Sequence, residues 1–338
     1  MKKILITGGA GYIGSHTVVE LLEAGSAVVV IDNLSNSSPD VFARIKQITG
    51  IEPEFVEADI RDEEVLTSLF NKHQFDSVIH FAGLKAVGES VQQPLLYYRN
   101  NVQGALSLFK VMAESQCFRL VFSSSATVYG DPASTPITES FPLSATNPYG
   151  QSKLMIENIL NDLSHADSQW QISILRYFNP VSAHPSGLIG ENPNGIPNNL
   201  LPYIAQVAVG KLQQLSVYGN DYPTHDGTGI RDYVHVVDLA RAHLKALQHL
   251  SPEHGCQTYN IGTGQGYSVL EMIAAFEEAS ATTIKYQVEA RRTGDIAACF
   301  ANADKAQQTL GWKAQYGIEQ MMQDLWQWQS NNPNGYQK

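Results

Sequence analysis

Three cysteines in 338 residues, Cys117, Cys256 and Cys299, are too few, odd in number and too widely spaced for a disulfide framework. The same scarcity removes a cysteine-rich zinc site. The ten histidines offer neither HExxH nor HxH spacing, so no metal is expected. No run approaches the roughly 18 apolar residues of a membrane span, and Met1 leads straight into the strand-like ILITGG without a signal-peptide core. A reducing cytoplasm and no membrane association are the expectations. Positive charge is also scarce, with 22 Lys and Arg against 33 Asp and Glu and a net charge of −11. That balance argues against a nucleic-acid partner, whose binding needs a basic surface. A small anionic ligand would need its cations gathered locally.

What the chain does contain is order of one kind. KILITGG, AVVVID, EFVEADI, SVIHFAG, RLVFSSS and QISILRYF are β-branched runs separated by segments of helical period. In SHTVVELLEAG (15–25), for example, Val18, Leu21 and Leu22 share a face and Gly25 stands at the stop. This alternation predicts an α/β fold, a Rossmann-type doubly wound parallel sheet. Beyond residue 180 the text turns to HPSGLIGENPNGIPNN (184–199), which reads as a long ordered loop. A smaller mixed α/β C-terminal domain is expected over 181–338, with the segment at about 233–262 returning to the first domain of 1–180.

Gly8, Gly11 and Gly14 lie between the first strand and the first helix, where glycine lets a backbone turn tightly and approach a pyrophosphate. The context matters more than the glycines. AVVVID ends in Asp32, 18 residues after Gly14, where a carboxylate accepts from an adenosine ribose and repels a 2′-phosphate, favouring NAD over NADP. Asp59 and Gly83 also fall at strand C-termini, the ligand edge of such a sheet. GTGQG (262–266) looks like a second phosphate loop, but no acidic strand end follows it, so it is read as a turn into a helix capped by Ser268.

NPYGQSK (147–153) carries the chemistry. Asn147 and Pro148 suit an N-cap and first helical residue, placing Tyr149 in the first turn and Lys153 on the same face. An ammonium, a helix N-terminus and an oxidised nicotinamide would each favour the phenolate, making Tyr149 a base near neutrality. RLVFSSSATVYG adds serine hydroxyls to hold a substrate oxygen. His80, inside SVIHFAG, is expected to be a packed strand residue rather than a ligand.

Together GGAGYIG, SSSATVYG and YGQSK resemble the extended short-chain dehydrogenase/reductase family. The blocks FAGLKAVGES, RYFNP, HPSG, IPNNL, GNDYPTHDGTGIRDYVHVVDLA and RRTGD extend the resemblance nearly end to end, toward its 4-epimerases of UDP-hexoses. The resemblance implies Ser125, Tyr149 and Lys153 as catalytic trio. It implies interconversion of UDP-glucose and UDP-galactose: Tyr149 takes the 4-hydroxyl proton, carbon 4 gives hydride to tightly bound NAD, and hydride returns to the opposite face of a 4-keto sugar. It further implies Tyr12, Ile13, Asn33, Asn36, Ser37, Ile60, Phe81, Ala82, Lys85, Asn100 and Phe178 as cofactor contacts beside Gly8, Gly11, Gly14, Asp32, Asp59 and Gly83. The dehydratases of the family carry an Asp-Glu pair after the corresponding hydroxyl residue and the decarboxylases a Glu; here Ala126 and Thr127 stand there, so epimerisation outranks elimination.

On the substrate side Arg231 and Arg292 are two of only nine arginines, and a guanidinium fork suits a diphosphate. By resemblance Asn179, Asn199 and Leu200 would meet the pyrophosphate or sugar, the backbone of Ser216, Val217 and Tyr218 the uracil, and Asp295 the uridine ribose. Lys85 is expected on this side too. Cys299 stands where some bacterial members have a tyrosine, and the smaller side chain predicts activity on N-acetylated UDP-hexoses as well. A homodimer is implied, through helices near residues 97–115 and 149–165. The competing reading, a dinucleotide-responsive regulator without chemistry, would characteristically lack the tyrosine or the lysine; both are present. A 4-epimerase of UDP-glucuronate lacks an extra cation for the sugar carboxylate.

Overall fold

The computed structural model describes residues 2–197, 199–292 and 294–336. Its strands, in chain order, are β1 (Lys3–Thr7), β2 (Ala27–Asp32), β3 (Glu54–Glu57), β4 (Ser77–His80), β5 (Arg119–Ser125), β6 (Gln171–Tyr177), β7 (Asn179–Val181), β8 (Leu215–Tyr218), β9 (Ile230–His235), β10 (Cys256–Ile261), β11 (Gly266–Ser268), β12 (Tyr286–Glu289) and β13 (Ala298–Cys299). The helices are α1 (Tyr12–Glu23), α2 (Asp40–Thr49), α3 (Glu63–His73), α4 (Val87–Gln92), α5 (Pro94–Tyr97), α6 (Gly104–Glu114), α7 (Pro148–Ala166), α8 (Leu200–Ala208), α9 (Val236–His249), α10 (Val269–Ser280) and α11 (Ile318–Asn331).

Seven strands form one sheet in the order β10-β6-β5-β4-β1-β2-β3, every pairing parallel. The apolar runs of the sequence explain it. Alternate residues of a strand face opposite sides, so a sheet covered on both faces needs apolar residues at every position. Ile4 and Ile6 pack with Val18, Val41 and Leu239 on the side of α1, α2 and α9, whereas Leu5 packs with Leu66, Leu108 and Ile156 on the side of α3, α6 and α7. Val28 and Val30 against Val29 and Ile31 repeat the division in β2.

The remaining strands make a second unit. β7, β9, β11 and β13 form a four-stranded sheet and β8 pairs with β12, over a separate cluster drawn from α8, α10 and α11 that includes Leu201, Phe276 and Met322. The chain re-enters the first unit at Val236, where α9 packs against α1 and β10 joins β6. Residues 184–199 have no helix or strand among those described, and they run over the mouth of the first sheet.

The strand order reverses between β1 and β4, which leaves a crevice beyond their carboxyl ends. A cavity of about 810 Å³ fills that crevice and extends to the second unit.

Candidate active site

The floor of the cavity is the β1–α1 loop. Gly8 adopts φ +71°, and a Cβ there would lie 2.7 Å from the Ala82 nitrogen; a Cβ on Gly14 would lie 2.3 Å from the Gly8 oxygen. Only glycine allows this closeness of loop, helix and neighbouring strand. No side chain caps the start of α1, so its first amides face the cavity with the positive end of the helix dipole. Beside them Asp32 ends β2, its carboxylate fixed by the amides of Ala10 (3.0 Å) and Leu34 (2.9 Å) and by the Ser37 hydroxyl (3.0 Å). Asp59 is gripped by Arg61 (2.7 Å) and Asn33 (3.1 Å), which holds its carboxyl down at about 2. A glycine cradle under a helix start with a carboxylate 18 residues on fits a dinucleotide.

The opposite wall comes from β5 and α7. Asn147 caps α7 by accepting from the Gly150 amide (2.9 Å), and Pro148 occupies the first turn. Tyr149 therefore projects from the helix start and Lys153 follows one turn later. Ser125 closes β5 on the same cavity. Its Oγ accepts from the Thr127 hydroxyl at 3.0 Å.

The electrostatics differ from the simple expectation of a phenol depressed by its neighbouring lysine. Lys153 donates to the Ser123 carbonyl (2.8 Å) and sits 5.0 Å over the Phe122 ring. Burial pushes its ammonium down to about 8, with Glu157 opposing. The Tyr149 phenol lies above its ordinary value because burial outweighs the Ser125 hydroxyl and the charge of Lys85, which pull it down. Lys85 is thus the cation whose charge bears on the Tyr149 phenol, while the Lys153 ammonium is turned to the Ser123 carbonyl.

Lys85 is placed by an element that local patterns did not reveal. Asn101, buried in a π-helical segment (Tyr98–Gln103) between α5 and α6, accepts from the Leu84 amide (2.8 Å), donates to its carbonyl (3.0 Å) and donates to Ser152 of α7 (3.0 Å). This ties the FAGLK loop to the helix carrying Tyr149. The Lys85 ammonium then meets Glu191 at 2.8 Å, and Asn199 donates to the same oxygen at 3.1 Å. Glu191 was not foreseen either; an acid in a Gly, Pro and Asn loop has no periodic signature. His80 is buried, with Nδ1 2.7 Å from the Thr7 hydroxyl and its imidazole pushed down to about 3.

From the second unit, Asn179, Arg231, Arg292, Asp295 and Cys299 line the cavity, with Cys299 paired beside Arg231 in neighbouring strands. Arg231 donates to the carbonyls of Ile230 (2.8 Å) and Ile296 (3.0 Å), and Arg292 to Asp295 (2.8 Å). Gly11, Tyr12, Ile13, Asn36, Ile60, Phe81, Gly83, Asn100 and Phe178 also line it. Four expected residues do not. Leu200 begins α8, and Ser216, Val217 and Tyr218 lie in β8, which pairs outward with β12; Val217 is buried in the second core. Only Tyr218 approaches, through the Arg292 guanidinium 4.7 Å from its ring centroid.

The second glycine loop binds an anion, but one of its own. The Asp232 carboxylate accepts from the Thr263 amide (2.8 Å) and hydroxyl (2.7 Å), the Gly264 amide (3.0 Å) and the Ala301 amide (3.1 Å). GTGQG then leads into α10, where Ser268 and Glu271 form a capping box. Among the described residues no group of three or more His, Cys, Asp or Glu is arranged to hold a metal, and no helix is long and apolar enough to cross a membrane.

A family model described as GDP-mannose 4,6 dehydratase matches residues 5–325. A UDP-glucose 4-epimerase of Bacillus subtilis (strain 168) is 61% identical over 333 residues, spanning 98% of this chain and 98% of its own. The chain belongs to the UDP-glucose 4-epimerases of the extended short-chain dehydrogenase/reductase family. A crystal structure of a member from Bifidobacterium longum, in complex with NAD+ and UDP, superposes with a TM-score of 0.96 at 53% identity, covering 99% of this chain and 100% of that one. Another from Stenotrophomonas maltophila, with bound NAD and formylated UDP-arabinopyranose, gives 0.96 at 50% identity over 98% and 99%.

Proposed function

We propose that this protein interconverts UDP-glucose and UDP-galactose by reversible hydride transfer at sugar carbon 4. The observation that carries the reading is one cavity holding Tyr149 and Ser125 on one wall and the Gly8–Gly14 cradle with Asp32 on its floor. The amides of the cradle would hold the dinucleotide pyrophosphate, Asp32 the adenosine ribose, and Lys153 the nicotinamide ribose. Bound NAD supplies a hydride acceptor for the first half of the reaction and a hydride donor for the second. Ser125 orients the 4-hydroxyl. Tyr149 removes its proton as the C4–H bond breaks and the C4–O bond becomes a carbonyl. After the sugar turns, Tyr149 returns the proton to that oxygen while carbon 4 regains hydrogen on its other face. No net oxidation results, so one base serves both directions.

Arg231 and Arg292 supply the local cations for the diphosphate in a chain of net charge −11. Cys299 leaves volume beside the sugar that a phenol ring would fill, which supports activity on UDP-N-acetylglucosamine and UDP-N-acetylgalactosamine. Val91, Leu95, Leu96, Leu106 and Met155 expose apolar side chains along α4 to α7. That surface favours a homodimer through these helices.

The test is incubation of the purified protein, without added cofactor, with each of the four UDP-sugars, reading products by proton NMR. Interconversion of the glucose and galactose pair is expected. A protein that binds NAD yet produces no epimer of any of the four would leave the regulator reading in its place.

A further inference from the structure

Among the described residues four cationic side chains line the cavity, and two of them already have acid partners: Arg292 has Asp295, and Lys85 has Glu191. The second pair stands apart because its carboxylate is nearly enclosed, with 8% of the Glu191 side chain exposed against 47% of Lys85. The backbone around Glu191 is anchored from the C-terminal end of the chain. Trp328 of α11 donates to the Glu191 carbonyl at 3.4 Å, and the Tyr336 hydroxyl accepts from the Gly190 amide at 3.4 Å and donates to its carbonyl at 3.2 Å. The carboxylate faces the cavity, where its Oε1 takes hydrogen bonds from Lys85 and Asn199. Both donors belong to the group read above as substrate contacts.

We propose that Glu191 is a positioning residue of this site: it holds Lys85 and Asn199 together on the cavity wall and cancels the ammonium charge beside Tyr149. The inference rests on the epimerase reading. It adds to that reading a carboxylate that sets how strongly the pocket attracts an anion and how readily the phenol gives up its proton. The other groups that bear on the phenol are Ser125 from β5, Tyr177 from β6 and Tyr97 from α5, while Tyr12 of α1 faces Glu191 itself. None of these supplies a second carboxylate to Lys85, so removing the charge of Glu191 leaves the ammonium unneutralised.

The variant is Glu191→Gln, whose amide oxygen still accepts from both donors. In the NAD-saturated protein two quantities are measured: UDP affinity by calorimetry, and the Tyr149 titration as ultraviolet phenolate absorbance, each protein against its Tyr149→Phe partner. Glu191→Gln is expected to bind UDP about fivefold more tightly and to lower the Tyr149 titration midpoint by about half a pH unit or more. Unchanged or weaker UDP binding overturns the proposal, and so does an unmoved phenol titration. Failure of the underlying reading looks different, because the unmodified protein would then bind no UDP at all.

Discussion

Glu157 of α7 and Arg176 of β6 meet in the interior at 2.6 Å, with Ser124 donating to the same carboxylate and the Arg176 guanidinium also donating to the Tyr129 hydroxyl at 3.0 Å. Tyr129 in turn donates to Asn260 of β10 at 2.7 Å. One buried charge pair thereby joins α7, β5, β6 and β10 directly behind the catalytic wall. Glu157 lies one helical turn beyond Lys153, so the pair also fixes the position of α7 from which Tyr149 and Lys153 project.

Breaking that pair from one side strands the other charge. Arg176→Ala should lower unfolding stability by about 3–5 kcal/mol. Arg176→Met combined with Glu157→Leu should recover most of the loss. Urea denaturation followed by fluorescence measures both; equal losses in the single and double variants would show that no stranded charge is involved.

Tyr149→Phe removes the proposed proton acceptor and keeps the ring. Folding and NAD content should be unchanged, and turnover of UDP-galactose should fall by roughly 100-fold to 10,000-fold. Single-turnover kinetics with the bound dinucleotide reads the chemical step itself, and near-normal rates would remove Tyr149 from the mechanism.

Lys153 is kept at a cost to stability. Its ammonium is depressed from 10.5 to about 8, so between those values the unfolded chain holds more protons than the folded one. Stability from this group therefore rises with pH across that window, and below about 8 the folded state carries the full burden of a buried charge. Lys153→Met should be the more stable protein at pH 7, by up to about 3 kcal/mol, and its advantage should shrink toward pH 10. Chemical denaturation at a series of pH values tests the sign, which would be wrong if the variant were less stable throughout.

Cys299→Tyr should fill the volume beside Arg231. Interconversion of the plain UDP-hexoses is expected to continue, and that of the N-acetylated pair to fall at least tenfold, as measured by proton NMR on both pairs. Equal loss for both would place the residue away from the acetamido group.

Much of this was legible in the sequence because it is local. The β-branched runs, the glycine cradle, Asp32 at a strand end and Asn147-Pro148 at a helix start each depend on neighbours within a few residues. The turn role of GTGQG was legible too, although the carboxylate that satisfies it, Asp232, comes from 31 residues earlier and gave no sign. Glu191 facing Lys85 across 106 residues, and Asn101 binding the FAGLK loop to α7, were invisible for the same reason. Ser216, Val217 and Tyr218 were named for their backbone; which way their side chains face, with Val217 in the second core and Tyr218 outside, was not legible. The spacing of Tyr149 and Lys153 showed their shared helix face but not that the Lys153 ammonium donates to the Ser123 carbonyl.

The two units are not joined by a single tether. One residue separates β6 from β7, none separates β9 from α9, and four separate β10 from β11, so three of the passages between the units have almost no slack. These passages act as stitches along a seam. Connections this short oppose a wide parting of the cavity walls, so a sugar turning over there would draw on rotation about the ligand's own bonds. A protease cutting any one passage would leave the halves sewn together by the others.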